Sequence, residues 1–370
     1  MELYSDFSSL CDIPIIDGHI HFRDVDQIDH VPMLMEKCGI ERWNALCTLN
    51  GYQTTNPWGF YIKSVFPKST YLFSTFDLSV LAPDVPKSIA MAPEEQTEIH
   101  MNMGCHGVKL LQGKPTVYRQ LNTPLSDSVY RGFFSFMEAR GFPILWHVAD
   151  PEEFWDKTAV PVWAVKHGWA YTDGGFPEKE DLYAEIDRVL DSFPNLVIIF
   201  AHFYFLSADL ERAGRFLDNH PSISFDLTPG VEMYHNFTSR IDETRDFFIR
   251  YQDRIIFGTD TMDSFFADRD MGRKRIKMVR RWLETDDVFS VPSDPIMTPD
   301  DRPELRGCNL PRDILQKIYR SNFENIAGPV DKPVLFGDLI RECERSAHLA
   351  ASLRDRQGEE IIKAILKKIG

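Results

Sequence analysis

The chain has 370 residues, with 41 Lys and Arg against 56 Asp and Glu, a formal charge of −15. Its 43% apolar and 26% charged residues make the composition of a folded protein and exclude a disordered chain. The acidic balance argues against nucleic acid or an anionic membrane as the main partner, because both call for a basic face.

Six cysteines (Cys11, Cys38, Cys47, Cys105, Cys308, Cys343) are scattered without a CxxC pair, so they read as reduced, buried thiols. The opening MELYSDFSSLCDIP has no basic patch followed by an apolar run, so no signal peptide is expected. No apolar stretch reaches the roughly 18 residues of a membrane span. A cytoplasmic location is the expectation.

Taken in chain order, eight short apolar runs stand out. They are IPIIDGHIHF (13–22), WNALCTL (43–49), TYLFSTFDL (70–78), HGVKLLQ (106–112), FPILWHV (142–148), NLVIIFAHF (195–203), SISFDL (222–227) and RIIFGTD (254–260). They show little polar alternation until their last residues, the mark of strands buried on both faces of a parallel sheet. Helical patterns separate them. Ser126 is placed to cap SDSVYRGFFSFMEARG, and Gly141 ends it. EKEDLYAEIDRVLDSF (178–193) sets Leu182, Ile186, Val189 and Leu190 on one stripe. SADLERAGRFLDNH and SRIDETRDFFIRYQDR follow the same plan.

Strand and helix alternating eight times predict an α/β fold, a (β/α)8 TIM barrel over residues 1–328. A charged helical extension, 329–370, is expected to pack on it. A doubly wound sheet is the alternative, weakened in its dinucleotide-binding form by the lack of GxGxxG after the first strand. The long segment 150–178, rich in Trp, Pro and Gly, is expected over the barrel mouth. A Pro/Asp-rich stretch, VPSDPIMTPDDRPELRG, follows the eighth strand.

The chemistry is concentrated at strand ends. In Asp17-Gly18-His19-Ile20-His21, the two histidines lie two apart on a strand and share a face, so they can grip one metal ion. His147, His202 and Asp260 end three other apolar runs. Singly, such a histidine reads as a hydrogen-bonded core residue. Together, at equivalent ends of strands of one barrel, these side chains converge. Imidazole and carboxylate suit zinc, manganese or iron, and the lack of cysteine ligands points to an open catalytic site.

The motifs IIDGHIHF, GVKLL, ILWHVAD, FPNLVIIFAHF and IIFGTDTMD, with the late IYRSNFENIAG, resemble the amidohydrolase superfamily over roughly residues 13–328. The closer similarity is to the branch of aminocarboxymuconate-semialdehyde decarboxylase-like and lactonase-like enzymes. The resemblance implies that His19, His21 and His147 are metal ligands. It implies that Asp260 binds the metal or its water and acts as general base, and that His202 orients that water. One divalent ion is implied, zinc ahead of manganese. A second ion bridged by carbamylated Lys109 is the less favoured form, Lys109 otherwise being a buried or substrate-facing cation. The sequence departs from the pattern in GTDTMDS and AHFYF, where many relatives carry Tyr and Pro, or Gly, after the key residue.

Arg23, Lys109, Trp146 and Tyr204 are the candidate substrate contacts. Lys114 and Arg119 are softer ones, as are Trp155, Trp163, Trp169, Tyr171 and Phe203 for an aromatic wall. Solvated surface charge is the competing reading of Arg23, Lys114 and Arg119, and an outward-facing position that of Trp146. Asp17 and Asp226 read as partners behind the ligands, Asp226 alternatively as a helix cap. The expected function is metal-dependent hydrolysis of an ester, lactone or amide bond in a small organic acid. Non-oxidative decarboxylation or hydration of an aromatic or muconate-type acid uses the same ligands, and a catalytically silent binding barrel is the non-enzymatic reading. The amphipathic tail EEIIKAILKKIG and the 12% aromatic content fit a homodimer.

Overall fold

The computed structural model describes Phe7 and residues 10–50, 53–230, 232–291 and 304–369. Most of the N-terminal segment read for a signal peptide, and most of the Pro/Asp-rich stretch, lie outside the described residues.

Eight strands form one sheet in sequence order. They are β1 (Ile15–Ile20), β2 (Ile40–Leu46), β3 (Thr70–Ser74), β4 (Gly107–Gly113), β5 (Ile144–Val148), β6 (Ile198–Phe200), β7 (Ile223–Asp226) and β8 (Ile255–Ile256). Every neighbouring pair is parallel. The sheet curls until its last strand meets its first. Gly18 N donates to Phe257 O at 2.9 Å, Asp260 N to His19 O at 2.9 Å and His21 N to Thr261 O at 2.8 Å. Helices follow each strand, among them His30–Lys37, Asn56–Val65, Pro93–Asn102, Lys179–Ser192, Leu210–Asn219, Ile241–Arg250 and Arg269–Glu284. This is the (β/α)8 barrel that the alternating runs predict.

The stripe Leu182, Ile186, Val189 and Leu190 is buried, as its spacing requires. Gly141 ends its helix at φ 57°, a left-handed cap that glycine adopts without strain. Ser126 does not start that helix. The Asp127 carboxylate caps a short 3-10 turn, accepting from Val129 N, and the α-helix begins only at Arg131. β6 and β8 are shorter than the apolar runs suggest; β6 stops at Phe200, and the left-handed run from His202 to Phe205 begins just beyond it.

Inside the barrel, Ile16, Tyr71, Phe73, Leu145, Ile199 and Ile256 form a compact cluster. Helix Asn322–Ala327 closes the end where the strands begin. Its Asn322 Nδ2 donates to Gln252 O at 2.7 Å and Ile255 O at 2.8 Å, and its Phe323 ring stands edge-on to Tyr71 at 5.0 Å. Two further helices, Phe336–Ser352 and Arg356–Ile369, pack against helix Asn56–Val65. An ion pair, Arg345 to Asp77 at 2.6 Å, and a His100–Glu342 contact at 3.4 Å tie the first of them to the barrel.

Phe323 is fully buried. Phe323→Ala leaves a cavity in the barrel interior and is expected to cost about 3–5 kcal/mol. A fall in the urea midpoint at unchanged m-value checks this.

Candidate active site

A cavity of about 360 Å³ opens where the strands end. It is lined by His19, His21, His147, His202 and Asp260, together with Lys109, Lys114 and Arg23. Three strand ends around it are left-handed at non-glycine residues: Ala149 (φ 65°), His202 (φ 56°) and Asp260 (φ 54°). After β6 the left-handed run continues through Phe205. Each such residue costs roughly 1–2 kcal/mol, so the surrounding packing must hold it. Local strain of this kind concentrates at functional sites.

His19 and His21 project from β1, and Asp260 is brought beside them by the bonds that close the barrel. His19 Nε2 lies 3.3 Å from His21 Nε2 and 3.7 Å from Asp260 Oδ1, and His21 Nε2 lies 3.2 Å from the same oxygen. Ligands bound to zinc at about 2.0–2.1 Å in tetrahedral array stand roughly 3.3 Å apart, so the three atoms fit one ion. Among the described residues, this is the one group of three or more such side chains with ligand atoms all within 4.8 Å.

The supports behind the group are as specific. Asp226, fully buried at the end of β7, accepts from His19 Nδ1 at 2.8 Å, which leaves the Nε2 lone pair facing the group. Its other oxygen accepts from His202 N at 2.8 Å and Thr228 N at 3.1 Å. One carboxylate therefore orients two of the histidines. His202 Nδ1 is bonded to Thr228 O at 3.2 Å. Asp17 binds β1 to the β8 end, accepting from His19 N and Thr259 N at 3.1 Å and from Thr259 Oγ1 at 2.5 Å.

Burial, helped by the Lys109 charge, lowers the His19 pKa to about 4. Burial and Lys114 do the same for His147. Burial and the neighbouring His147 push His202 well below its ordinary value. The three are neutral at pH 7, the form that can bind a metal or take a proton. Burial works to raise Asp260, yet its hydrogen bond to His21 and the Arg275 guanidinium hold it well below the usual carboxylate range. Lys109 is 1% exposed, and its Nζ has no hydrogen-bond partner among the described residues. Burial brings its pKa down to about 8 against the pull of Asp226 and Asp260.

The other sequence candidates divide. His147 lines the cavity but stands outside the three-residue group, and its Nε2 is bonded to Asp150 Oδ1 at 3.2 Å. Arg23 is at the rim, 47% exposed and 3.6 Å from Asp263. Trp146 and Tyr204 do not reach the cavity. Side chains alternate along a strand, so with His147 pointing inward Trp146 points outward, onto Phe134 at 5.4 Å. The left-handed turn after β6 carries Tyr204 outward too, against Phe200 and Tyr183. Phe203 packs there as well, on Phe237 and Phe247. The aromatic wall is built by Phe154, Trp163, Trp169 and Phe205. Arg119 fastens the loop, pairing with Asp173 at 3.3 Å. Asp150 was missed by sequence reasoning. Its signal was a carboxylate three residues past His147, at the same strand end.

A sequence family described as amidohydrolase matches residues 83–322, more than half of the chain, and the chain belongs to that family. It is accordingly an enzyme, of a superfamily that generally uses divalent metals. The match takes in His147, His202 and Asp260, whereas His19 and His21 lie upstream of it. No curated protein matches the sequence. Among solved structures, a putative amidohydrolase from Staphylococcus aureus is similar at TM-score 0.52 and 14% identity, over 85% of this chain and 99% of that one. A TIM-barrel protein from Bordetella bronchiseptica is similar at TM-score 0.51 and 14% identity, over 86% and 99%. A 5-carboxyvanillate decarboxylase from Sphingomonas paucimobilis aligns at TM-score 0.47 and 11% identity, over 85% and 99%. Among the described residues no helix is long and apolar enough to cross a membrane.

The neutral histidines make a pH prediction. A histidine whose folded pKa is depressed binds its proton later than in the unfolded chain, so the unfolded state gains protons first as pH falls. For His19 and His147 that window runs from the ordinary 6.5 down to about 4. The metal-free protein is expected to lose stability progressively across it, as denaturation midpoints measured every half pH unit will show.

Proposed function

We propose that this chain is a hydrolase acting on an ester, lactone or amide bond of a small organic acid, with one divalent ion, zinc before manganese, held by His19, His21 and Asp260. The observation that carries the reading is the 3.2–3.7 Å spacing of those three ligand atoms. A metal bound there supplies activated water at neutral pH, lowering the pKa of water to about 7.

The chain's own residues divide the remaining work. Asp260 is ionised and takes a proton in the cavity, then returns it to a leaving group. His202, neutral and fixed through Nδ1, keeps Nε2 free to orient the attacking water or the substrate carbonyl. Lys109 holds a substrate carboxylate: a buried ammonium with no hydrogen bond among the described residues is costly, and an anion relieves that cost. Arg23 at the rim is a second anchor. Phe154, Trp163, Trp169 and Phe205 shed water from an organic ring. His147 is the fourth candidate ligand, and it offers Nε2 only by giving up its bond to Asp150. A second ion with carbamylated Lys109 remains the less favoured form. A homodimer is proposed for the assembly and the cytoplasm for its location.

A second reading, non-oxidative decarboxylation, uses the same residues. What favours it is Lys109, whose charge acts directly on His19 and Asp260 and so suits a carboxylate held at the reacting centre. The products separate the readings: release of carbon dioxide against hydrolytic opening, assayed on a panel of lactones, amides and aromatic acids.

Purified protein titrated with zinc at pH 7 is expected to take up about one ion per chain. His19→Ala and Asp260→Asn should lower kcat by about 10²–10⁴-fold on any substrate turned over. A chain that binds no divalent ion overturns the reading. Asp226→Asn is expected to weaken zinc binding by about 10–100-fold while leaving all three ligands in place, read by competition with a chromogenic chelator.

A further inference from the structure

Outside the three-ligand group, the most connected polar residue at the cavity is Asp150. It sits just past the left-handed Ala149 and is 3% exposed. Lys114 Nζ donates to both of its oxygens at 2.9 Å, Tyr171 Oη to Oδ2 at 2.5 Å, and His147 Nε2 to Oδ1 at 3.2 Å. The donors come from three segments: the loop after β4, the long loop 150–178 and the end of β5. Burial works to raise the Asp150 carboxyl, yet Lys114 and His147 hold it below its usual range, so it accepts as an anion.

These contacts tie the loop to the barrel, and its own aromatic rings pack on one another. Tyr171 packs on Trp155 and Phe176, each at 4.7 Å. Lys114 lies 4.4 Å over the Trp169 ring, which joins the same carboxylate to the aromatic wall. Arg119 covers Phe176 at 4.2 Å.

We propose that Asp150 is a positioning residue that makes the placement of His147 depend on the docking of the 150–178 loop. The inference rests on reading this cavity as the reacting site. A carboxylate has about four lone-pair positions, and four hydrogen bonds occupy them here. Removing the Tyr171 hydroxyl frees one position, so Lys114 and His147 redistribute over the two oxygens. Loosening the loop thereby loosens His147 Nε2, the atom that faces either Asp150 or the site. By linkage the coupling is reciprocal: freeing His147 loosens the loop.

The test uses the full-length, metal-free protein, labelled with 15N-histidine. The His147 signal is assigned by its loss in His147→Gln. Lys157 and Lys166, both exposed in the loop, are the trypsin sites that report undocking. Tyr171→Phe removes one hydroxyl and does not touch His147. It is expected to shift the His147 Nε2 resonance and to raise cleavage at Lys157 and Lys166 by about tenfold or more, the effect of losing one hydrogen bond to a charged group. Asp150→Asn should do both more strongly, and His147→Gln should speed loop cleavage. A faster-cleaved loop with an unmoved His147 resonance in Tyr171→Phe overturns the proposal, and so does an unchanged cleavage rate. Failure of zinc uptake by the wild-type chain would end the metal reading and leave this coupling intact, so the two failures are distinct.

Discussion

The backbone hydrogen bonds that join β1 to residues 257–261 bring the three candidate ligands His19, His21 and Asp260 together. His19 O receives Asp260 N, and His21 N reaches Thr261 O. Those bonds bring together residues some 240 positions apart and set the Asp260 carboxylate beside two imidazoles. Asp17 repeats the tie from a side chain, spanning from His19 N to Thr259. Loss of closure would leave the histidines on one face of β1 with no carboxylate to complete the group.

Around that seam the barrel concentrates charge in a dry place. Asp226, Asp260 and Asp150 face Lys109, Arg275 and Lys114 respectively. Most of these groups are fixed by hydrogen bonds, which is how a protein keeps ionised groups out of water. Lys109 differs, with no hydrogen-bond partner for its ammonium among the described residues. The strained turns at Ala149, His202 and Asp260 belong to the same design. They turn the chain sharply off each strand, so that a polar side chain ends at the cavity.

Much of the barrel could be read from the order of apolar runs, since strands buried on both faces leave that mark whatever their neighbours are. His19 and His21 were legible because a two-residue spacing on a strand is a local fact. Trp146 carried an outward-facing alternative, and the alternation that puts His147 inward decides for it. Tyr204 was misplaced because a left-handed turn follows His202, and L-residues rarely adopt one. The missing cue for Asp150 was its partners. Lys114 and Tyr171 lie 36 residues before and 21 after it, a separation that no pattern of spacing records.

By itself, the sequence determined the alternation of strands and helices, the pair of imidazoles on one strand face and the polar character of four strand ends. These follow from periodicity and side-chain chemistry, which act over a few residues. Only the tertiary structure decided which side chains meet. It joined Asp260 to His19 and His21, gave His147 to Asp150, set Lys109 in the interior and turned Trp146 and Tyr204 away. Those outcomes depend on how the sheet closes and on competition for a few buried carboxylates, and both are settled by distances in space.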